Sequence, residues 1–105
     1  INSETLNLFT SYQFPENDNR RGLGFDKPLL EFEEHRTNCH SASQASFGHS
    51  GFTGTYTWAD PETGLIYVFL SNRVYPDMDN TKIMDMDIRT NIHQLFYDAL
   101  EERMK

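Results

Sequence analysis

The alternation of apolar and polar positions predicts a β-hairpin in the middle of the chain. Residues 56–59 (Tyr-Thr-Trp-Ala) and 65–70 (Leu-Ile-Tyr-Val-Phe-Leu) contain many of the aromatic and β-branched side chains that strands prefer. The residues between them include Pro61 and Gly64, which favour a reversal of the chain. We therefore predict a hairpin over about residues 55–71.

Periodic apolar positions predict a helix at each end of the chain. Leu6 and Phe9 have helical spacing within residues 2–12, and Ser3 is a suitable N-cap for a short N-terminal helix. A second pattern predicts a C-terminal helix over about residues 83–104, with one apolar stripe in the core. The residues of that stripe are Ile88, Ile92, Leu95, Phe96, Ala99 and Leu100.

A glycine-rich stretch, residues 47–55, precedes the hairpin. Gly48, Gly51 and Gly54 recur at every third position among small hydroxyl residues and one histidine. This composition is unfavourable for a helix or a buried strand, and it suits an extended edge that a ligand or another backbone approaches closely. A functional site is therefore expected where this edge meets the hairpin.

The region before the glycine-rich stretch is less regular. Residues 20–26 alternate well enough for a short strand, and residues 27–45 indicate a long surface loop, a feature that usually has a function or covers something. Together the patterns predict an α+β fold within one domain. An antiparallel sheet of three or more strands would be packed by the C-terminal helix and by the short N-terminal helix.

Charge and composition exclude several classes of function. The formal net charge is −7 and no Lys/Arg cluster occurs, which argues against a nucleic acid or an anionic membrane as partner. No apolar run reaches the roughly 18 residues that a membrane span needs. The single cysteine, Cys39, has no second cysteine for an internal disulfide.

Two other kinds of chemistry have less support from the sequence. His35, Cys39 and His40 lie close enough in sequence to suggest a metal site, but no fourth ligand follows at zinc-finger spacing. His49 and Ser50 are adjacent, and neighbours in a strand point to opposite faces, so they are not a base and nucleophile pair.

The sequence favours a structural role for two aspartates. Asp60 is interpreted as a turn residue, and Asp98 as part of a solvated helix face.

Three segments together resemble the C-terminal part of the serine β-lactamase and penicillin-binding-protein-like hydrolases, and most closely the branch of class C β-lactamases and related esterases. The segments are Phe47 to Thr55, Asp60-Pro61-Glu62 and Leu70-Ser71-Asn72-Arg73. The third active-site motif of that family, Lys-Thr-Gly or His-Thr/Ser-Gly, would be His49-Ser50-Gly51. Residues 21–26 resemble the strand that precedes the motif, and the final helix resembles the one that packs on the family's sheet.

The resemblance covers most of residues 1–105, with residues 28–45 as a loop insertion. The family's other two motifs are Ser-x-x-Lys, which holds the nucleophile, and Tyr-x-Asn or Ser-x-Asn. Neither occurs in this sequence. We therefore expect the C-terminal portion of a larger hydrolase domain, which carries one wall of the active site, contains no nucleophile and is inactive alone.

The resemblance implies a role for each residue of that wall. His49 would donate to the nucleophile and base network and add positive potential for an anionic substrate group. Ser50 would offer its hydroxyl to a substrate carboxylate or carbonyl, and Gly51 would leave room for the substrate along the strand edge. The backbone N–H of Phe52 would be the second oxyanion-hole donor. Histidine in place of lysine at position 49 favours esterase or D-peptidase work over potent β-lactamase action.

The same resemblance implies the reaction and the partners. The parent protein would hydrolyse an ester, an amide or a β-lactam through an acyl-enzyme, with a small-molecule or peptidoglycan-like substrate, no cofactor and no metal. Its remaining N-terminal part would be the natural partner of this chain, and its location would be the cell envelope or outside the cell.

The alternative from another class is a small non-enzymatic module that binds a partner at its edge strand. If the chain is the portion of a hydrolase, its open strand edge and apolar face would favour a homodimer of the isolated chain, whereas a monomer would favour the binding module. Phe47, Phe52 and Trp58 are the residues expected at that surface.

Overall fold

The computed structural model describes residues 1–17, 19–29 and 38–105. Three helices and three strands are found in these ranges: α1 (Ser3–Thr10), β1 (Phe47–Ser50), β2 (Tyr56–Asp60), β3 (Leu65–Phe69), α2 (Lys82–Asp85) and α3 (Ile88–Met104), with a single 3₁₀ turn at Pro15–Asn17. The predicted α+β class, with an antiparallel sheet and a helix toward each end, is confirmed.

The sheet has the strand order β1-β2-β3, and both pairs are antiparallel. The β2–β3 pair is the hairpin predicted over about residues 55–71. In the register, Trp58 lies opposite Gly48 on one side and opposite Tyr67 on the other. The strand order places β1 at an edge of the sheet. Because opposite residues share a face of the sheet, the register places Gly48 beside the indole ring of Trp58.

The inner face of the sheet carries the core, which is built from aromatic rings. Tyr56, Trp58 and Tyr67 are buried there, and helix α3 packs on them through His93 and Tyr97. The ring of Tyr56 stacks on that of Trp58 at 5.7 Å between centroids, and the ring of Tyr67 stacks on that of His93 at 4.4 Å.

The prediction that the apolar stripe forms the main buried face of the C-terminal helix is wrong. Leu95 is 65% exposed and Phe96 is 48% exposed, whereas the buried residues of α3 are His93 and Tyr97. The reason is chemical complementarity. The Asp60 carboxylate and several tyrosine rings lie on the inner face of the sheet. Polar aromatic side chains of the helix therefore pack there.

The ends of the helices differ in detail from the prediction. The region predicted as one helix over about 83–104 contains α2 and α3, separated by Asp87 in the left-handed conformation with φ of 50°. Helix α1 is capped by Asn2 and not by Ser3, since the Asn2 Oδ1 accepts a hydrogen bond from the Thr5 N–H at 2.8 Å.

The strand predicted over residues 20–26 is reduced to isolated bridges. Asp26 bridges Gly48 on the outer edge of β1, with N···O distances of 2.7 and 3.0 Å, and it also bridges Arg21. Of the predicted loop 28–45, residues 30–37 lie outside the described residues. Residues 38–46 contain turns and no helix or strand. The assignment of this loop as an insertion stays a prediction.

The expectation that Trp58 lies at the surface is wrong, because its side chain is only 1% exposed. It occupies an inward position of β2, and the missing side chain of Gly48 leaves room for it: a Cβ added at Gly48 would collide with the indole ring and with the Thr57 carbonyl. Phe52 is 66% exposed, as expected, and Phe47 is half-buried against the ring of Phe25.

Candidate active site

His49 lies on the outward face of the edge strand β1 and is exposed. Its register partner is Thr57. Its Nδ1 lies 2.8 Å from the Ser50 carbonyl oxygen, so Nδ1 carries a proton and donates it to that carbonyl. In the neutral ring, Nε2 is then the basic nitrogen. The side chain can therefore accept a proton at Nε2, or donate from it once protonated.

Ser50 is the last residue of β1 and is half-buried opposite Tyr56. The pleat places its side chain on the other face of the strand from that of His49. Gly51 follows, and its N–H donates to the Thr55 carbonyl at 2.8 Å, which closes a tight loop over residues 51–55. A Cβ at Gly51 would collide with the Thr55 hydroxyl, so a larger residue there would require the Thr55 side chain to move.

The Phe52 backbone N–H lies at the start of this loop. Within the described part of the chain, it donates to no acceptor, whereas the N–H groups of Gly51 and Gly54 are both bonded inside the loop. The Phe52 ring points away from the core and lies under the guanidinium of Arg73, whose Cζ is 4.7 Å from the ring centroid. An unbonded N–H on a braced loop is suited to stabilising a negatively charged oxygen.

An open cleft of about 330 Å³ brings these elements together, and we call it the His49 cleft. Its walls come from the end of β1, from β2 and from the outward side chains of β3. His49, Ser50, Gly51, Thr57, Val68 and Leu70 are among its lining residues. Three of the four predicted site residues thus line one cleft, and the fourth, Phe52, is next to Gly51 in sequence.

Two arginines brace the loop beside this cleft. The Arg73 N–H donates to the Thr53 carbonyl at 2.9 Å, and the Arg89 guanidinium donates to the Gly54 carbonyl at 3.3 Å. Arg73 belongs to one of the segments that resemble the family, but the resemblance implies no role for it. No pattern in the sequence indicates Arg89. Both bring positive charge to the site in a chain whose net charge is −7.

Asp60 has a larger structural role than the turn residue inferred from the sequence. It is only 2% exposed, and it accepts hydrogen bonds from the Ser43 hydroxyl at 2.6 Å and the Tyr97 hydroxyl at 2.6 Å. The Ser43 and Glu62 N–H groups also donate to it. Burial alone would raise the pKa of Asp60, but these hydrogen bonds outweigh burial and hold the pKa below its usual value. Asp60 therefore joins the sheet, helix α3 and the loop before β1.

The described residues also bear on the metal hypothesis. Cys39 is fully buried, His40 is exposed and His35 lies outside the described ranges. No cluster of three or more His, Cys, Asp or Glu side chains suited to a metal ion is found in the part of the chain that the structure describes.

The fold and the cleft thus define an α+β protein whose edge strand presents His-Ser-Gly beside an arginine-braced loop. Comparison with known families identifies the class. The family model described as Beta-lactamase matches residues 4–87, which is 84 of the 105 residues. The chain therefore belongs to the β-lactamase family.

No curated protein and no solved structure gives a significant match to this chain. Among the helices in the described ranges, none is both long enough and apolar enough to cross a membrane.

Proposed function

We propose that this chain forms the C-terminal wall of the active site of a serine acyl hydrolase, and that residues outside these 105 supply the nucleophile. The observation that carries the proposal is the His49 cleft. His49, Ser50 and the glycine edge line one open cleft, and the Phe52 N–H, which has no acceptor in the described part of the chain, lies next to them in sequence. Membership of the β-lactamase family supports the hydrolase class.

Each group of the wall has a definite task in acyl transfer. The Nε2 of His49 exchanges a proton with the nucleophile and base network, while its Nδ1–H remains on the Ser50 carbonyl. The Ser50 hydroxyl hydrogen-bonds an anionic or carbonyl group of the substrate. The Phe52 N–H donates to the oxyanion of the tetrahedral intermediate, beside the N–H of the nucleophile, and one such donor is worth about 10²–10³ in rate.

The charge around the loop favours an anionic acyl substrate. Arg73 and Arg89 lie at the 51–55 loop, so the potential near the cleft is more positive than the net charge of the chain suggests. Histidine in place of lysine at position 49 favours an ester or a D-peptide over a β-lactam. A peptidoglycan-like or small-molecule substrate, in the cell envelope or outside the cell, fits this assignment.

The experiment is an assay of the chain as it stands with a chromogenic cephalosporin and with a p-nitrophenyl ester. We expect no turnover above the uncatalysed background, because oxyanion donors without a nucleophile leave only weak catalysis. Saturable turnover that a serine-directed acylating inhibitor removes would show that a nucleophile is present among these residues.

A second measurement tests the assignment of the wall itself. Reading the genomic DNA upstream of the Ile1 codon should reveal Ser-x-x-Lys and Tyr-x-Asn in the same frame or in a neighbouring one. Their absence would favour the other class of function, an edge-strand binding module.

A further inference from the structure

A second cleft, of about 310 Å³, lies at the opposite end of the β1–β2 pair. Its exposed rim includes Asn7, Gln44 and Pro61, and its deeper lining includes Thr10, Tyr12 and Lys27. We call it the Lys27 cleft. Among the described residues, none lines both this cleft and the His49 cleft. Any ligand bound there would be separate from the proposed hydrolase site.

Lys27 is the distinctive residue of this cleft because its side chain is buried, with 2% exposure. Its ammonium donates to the Ser46 carbonyl at 2.8 Å and lies 5.0 Å from the centroid of the Tyr12 ring. Among the described residues, no carboxylate forms an ion pair with it, and Asp60 attracts it only from a longer distance. A buried cation without a paired anion is unfavourable.

The rest of the described lining is neutral. Among the residues that the structure describes, the side chains that line the Lys27 cleft include no acidic one. The hydroxyl of Thr10 donates to the Leu6 carbonyl and that of Tyr12 donates to the Pro28 carbonyl. The carboxamides of Asn7 and Gln44 each carry two N–H donors at the rim. The described lining therefore carries one formal charge, and that charge is positive.

We propose that the Lys27 cleft binds a small organic carboxylate whose anionic group pairs with the Lys27 ammonium. One ammonium balances one negative charge, which suits a monoanion better than a phosphate dianion. The flat face of Tyr12 and the ring of Pro61 would contact the apolar part of the acid. Burial lowers the pKa of Lys27 to about 8, against the attraction of Asp60, and a bound carboxylate raises it again.

The test is an NMR titration of the chain with sodium butyrate, with butyramide as the neutral isostere and sodium chloride at equal ionic strength as the salt control. We expect saturable shifts at the amides of Tyr12, Lys27 and Ser46 with butyrate alone. Lys27→Met, which keeps the length and removes the charge, should abolish them. Lys82→Met, at an exposed lysine, should leave them unchanged, as should His49→Ala.

The pH dependence in the unmodified protein keeps the test decisive if Lys27→Met fails to fold. Butyrate affinity should fall about tenfold per pH unit above a pKa of about 8, because only the ammonium pairs with the acid. Equal binding of butyramide, equal shifts with chloride, unchanged binding in Lys27→Met or a flat pH profile would each overturn the proposal. Because His49 has no part in it, this result does not depend on the hydrolase assignment.

Discussion

At the scale of single residues, the proposed function gives His49 and Ser50 different chemical roles although they are adjacent. In a hydrolase domain of the proposed kind, His49→Ala should lower kcat/KM by about 10²–10⁴-fold, since it would remove a proton-transfer group. Ser50→Thr keeps the hydroxyl and adds one methyl group, so its effect should be much smaller. Steady-state kinetics on both variants check this. Small and equal effects would remove His49 from the active site.

His93 makes the stability of the fold depend on pH. Its ring is 1% exposed and stacks on Tyr67, and neither ring nitrogen has a hydrogen-bond partner in the described part of the chain. Burial lowers the pKa of His93 from 6.5 to about 4, against the attraction of the Asp60 carboxylate. The rings of Tyr56 and Tyr97 also contact the His93 ring, and the Arg89 guanidinium lies 5.7 Å from the centroid of the Tyr56 ring.

The unfolded chain takes up a proton at His93 near pH 6.5, whereas the folded protein does so only near pH 4. The contribution of His93 to the free energy of unfolding should therefore be constant above pH 6.5 and should fall by about 3 kcal/mol between pH 6.5 and 4. Urea denaturation across this range measures it. His93→Phe should remove most of the slope, and His40→Gln, at an exposed histidine, should keep it. A similar slope in His93→Phe would assign the effect to other groups.

The stability that the Asp60 hydrogen bonds contribute is lost in a separate pH range, below about pH 4, because the pKa of Asp60 is lowered.

At the scale of elements, the pairing of β1 with β2 depends on one close approach. Gly48→Ala should destabilise the fold by about 3 kcal/mol, because the new Cβ meets the Thr57 carbonyl and the Trp58 ring. Gly64→Ala is the matched control: it meets nothing within 4 Å, and its φ of +74° costs about 1 kcal/mol in strain alone. Chemical denaturation separates the two, and equal losses would mean that packing at Gly48 is not the cause.

Elements specified by local sequence could be predicted, and contacts between distant residues could not. The β2–β3 hairpin follows from strand-forming residues on either side of Pro61 and Gly64, and the edge position of β1 follows from its glycine spacing. The buried face of α3 depends instead on Tyr97 meeting Asp60, which is 37 residues away. Hydropathy ranks Leu95 and Phe96 above His93 and Tyr97, so it selected the wrong face.

The same limit applies to the candidate site. The motif His49-Ser50-Gly51 was recognisable because its residues are contiguous. The bracing of its loop by Arg73 and Arg89 depends on contacts across the fold, and so does the burial of Lys27 beside Tyr12. No periodicity or spacing within the chain indicates these contacts.

At the scale of the whole molecule, strand β3 is apolar on both faces but covered on one. Tyr67 points into the core, while Ile66 is 73% exposed and Val68 and Leu70 are also exposed. A strand with a continuous apolar run is typical of a sheet buried on both sides. In the isolated chain, a second copy is the available cover, and we expect a two-fold dimer through this face.

Light scattering at micromolar concentration tests this expectation. Ile66→Lys should shift the chain toward the monomer, because it places a charge on the apolar face. Leu6→Lys, at an exposed position of α1, should leave the dimer intact. A monomer with cooperative thermal unfolding in the unmodified chain would contradict the dimer and favour the edge-strand binding module.

The burial of Trp58 gives this protein an intrinsic fluorescent reporter. The chain has one tryptophan, which lies in the core with the ring of Tyr56 stacked on it and Tyr67 opposite it in the sheet. Its emission therefore reports on a single environment, and that environment is the contact layer between the sheet and α3. Unfolding would expose the indole to water and shift its emission to longer wavelength, so each stability measurement above can be followed without a label.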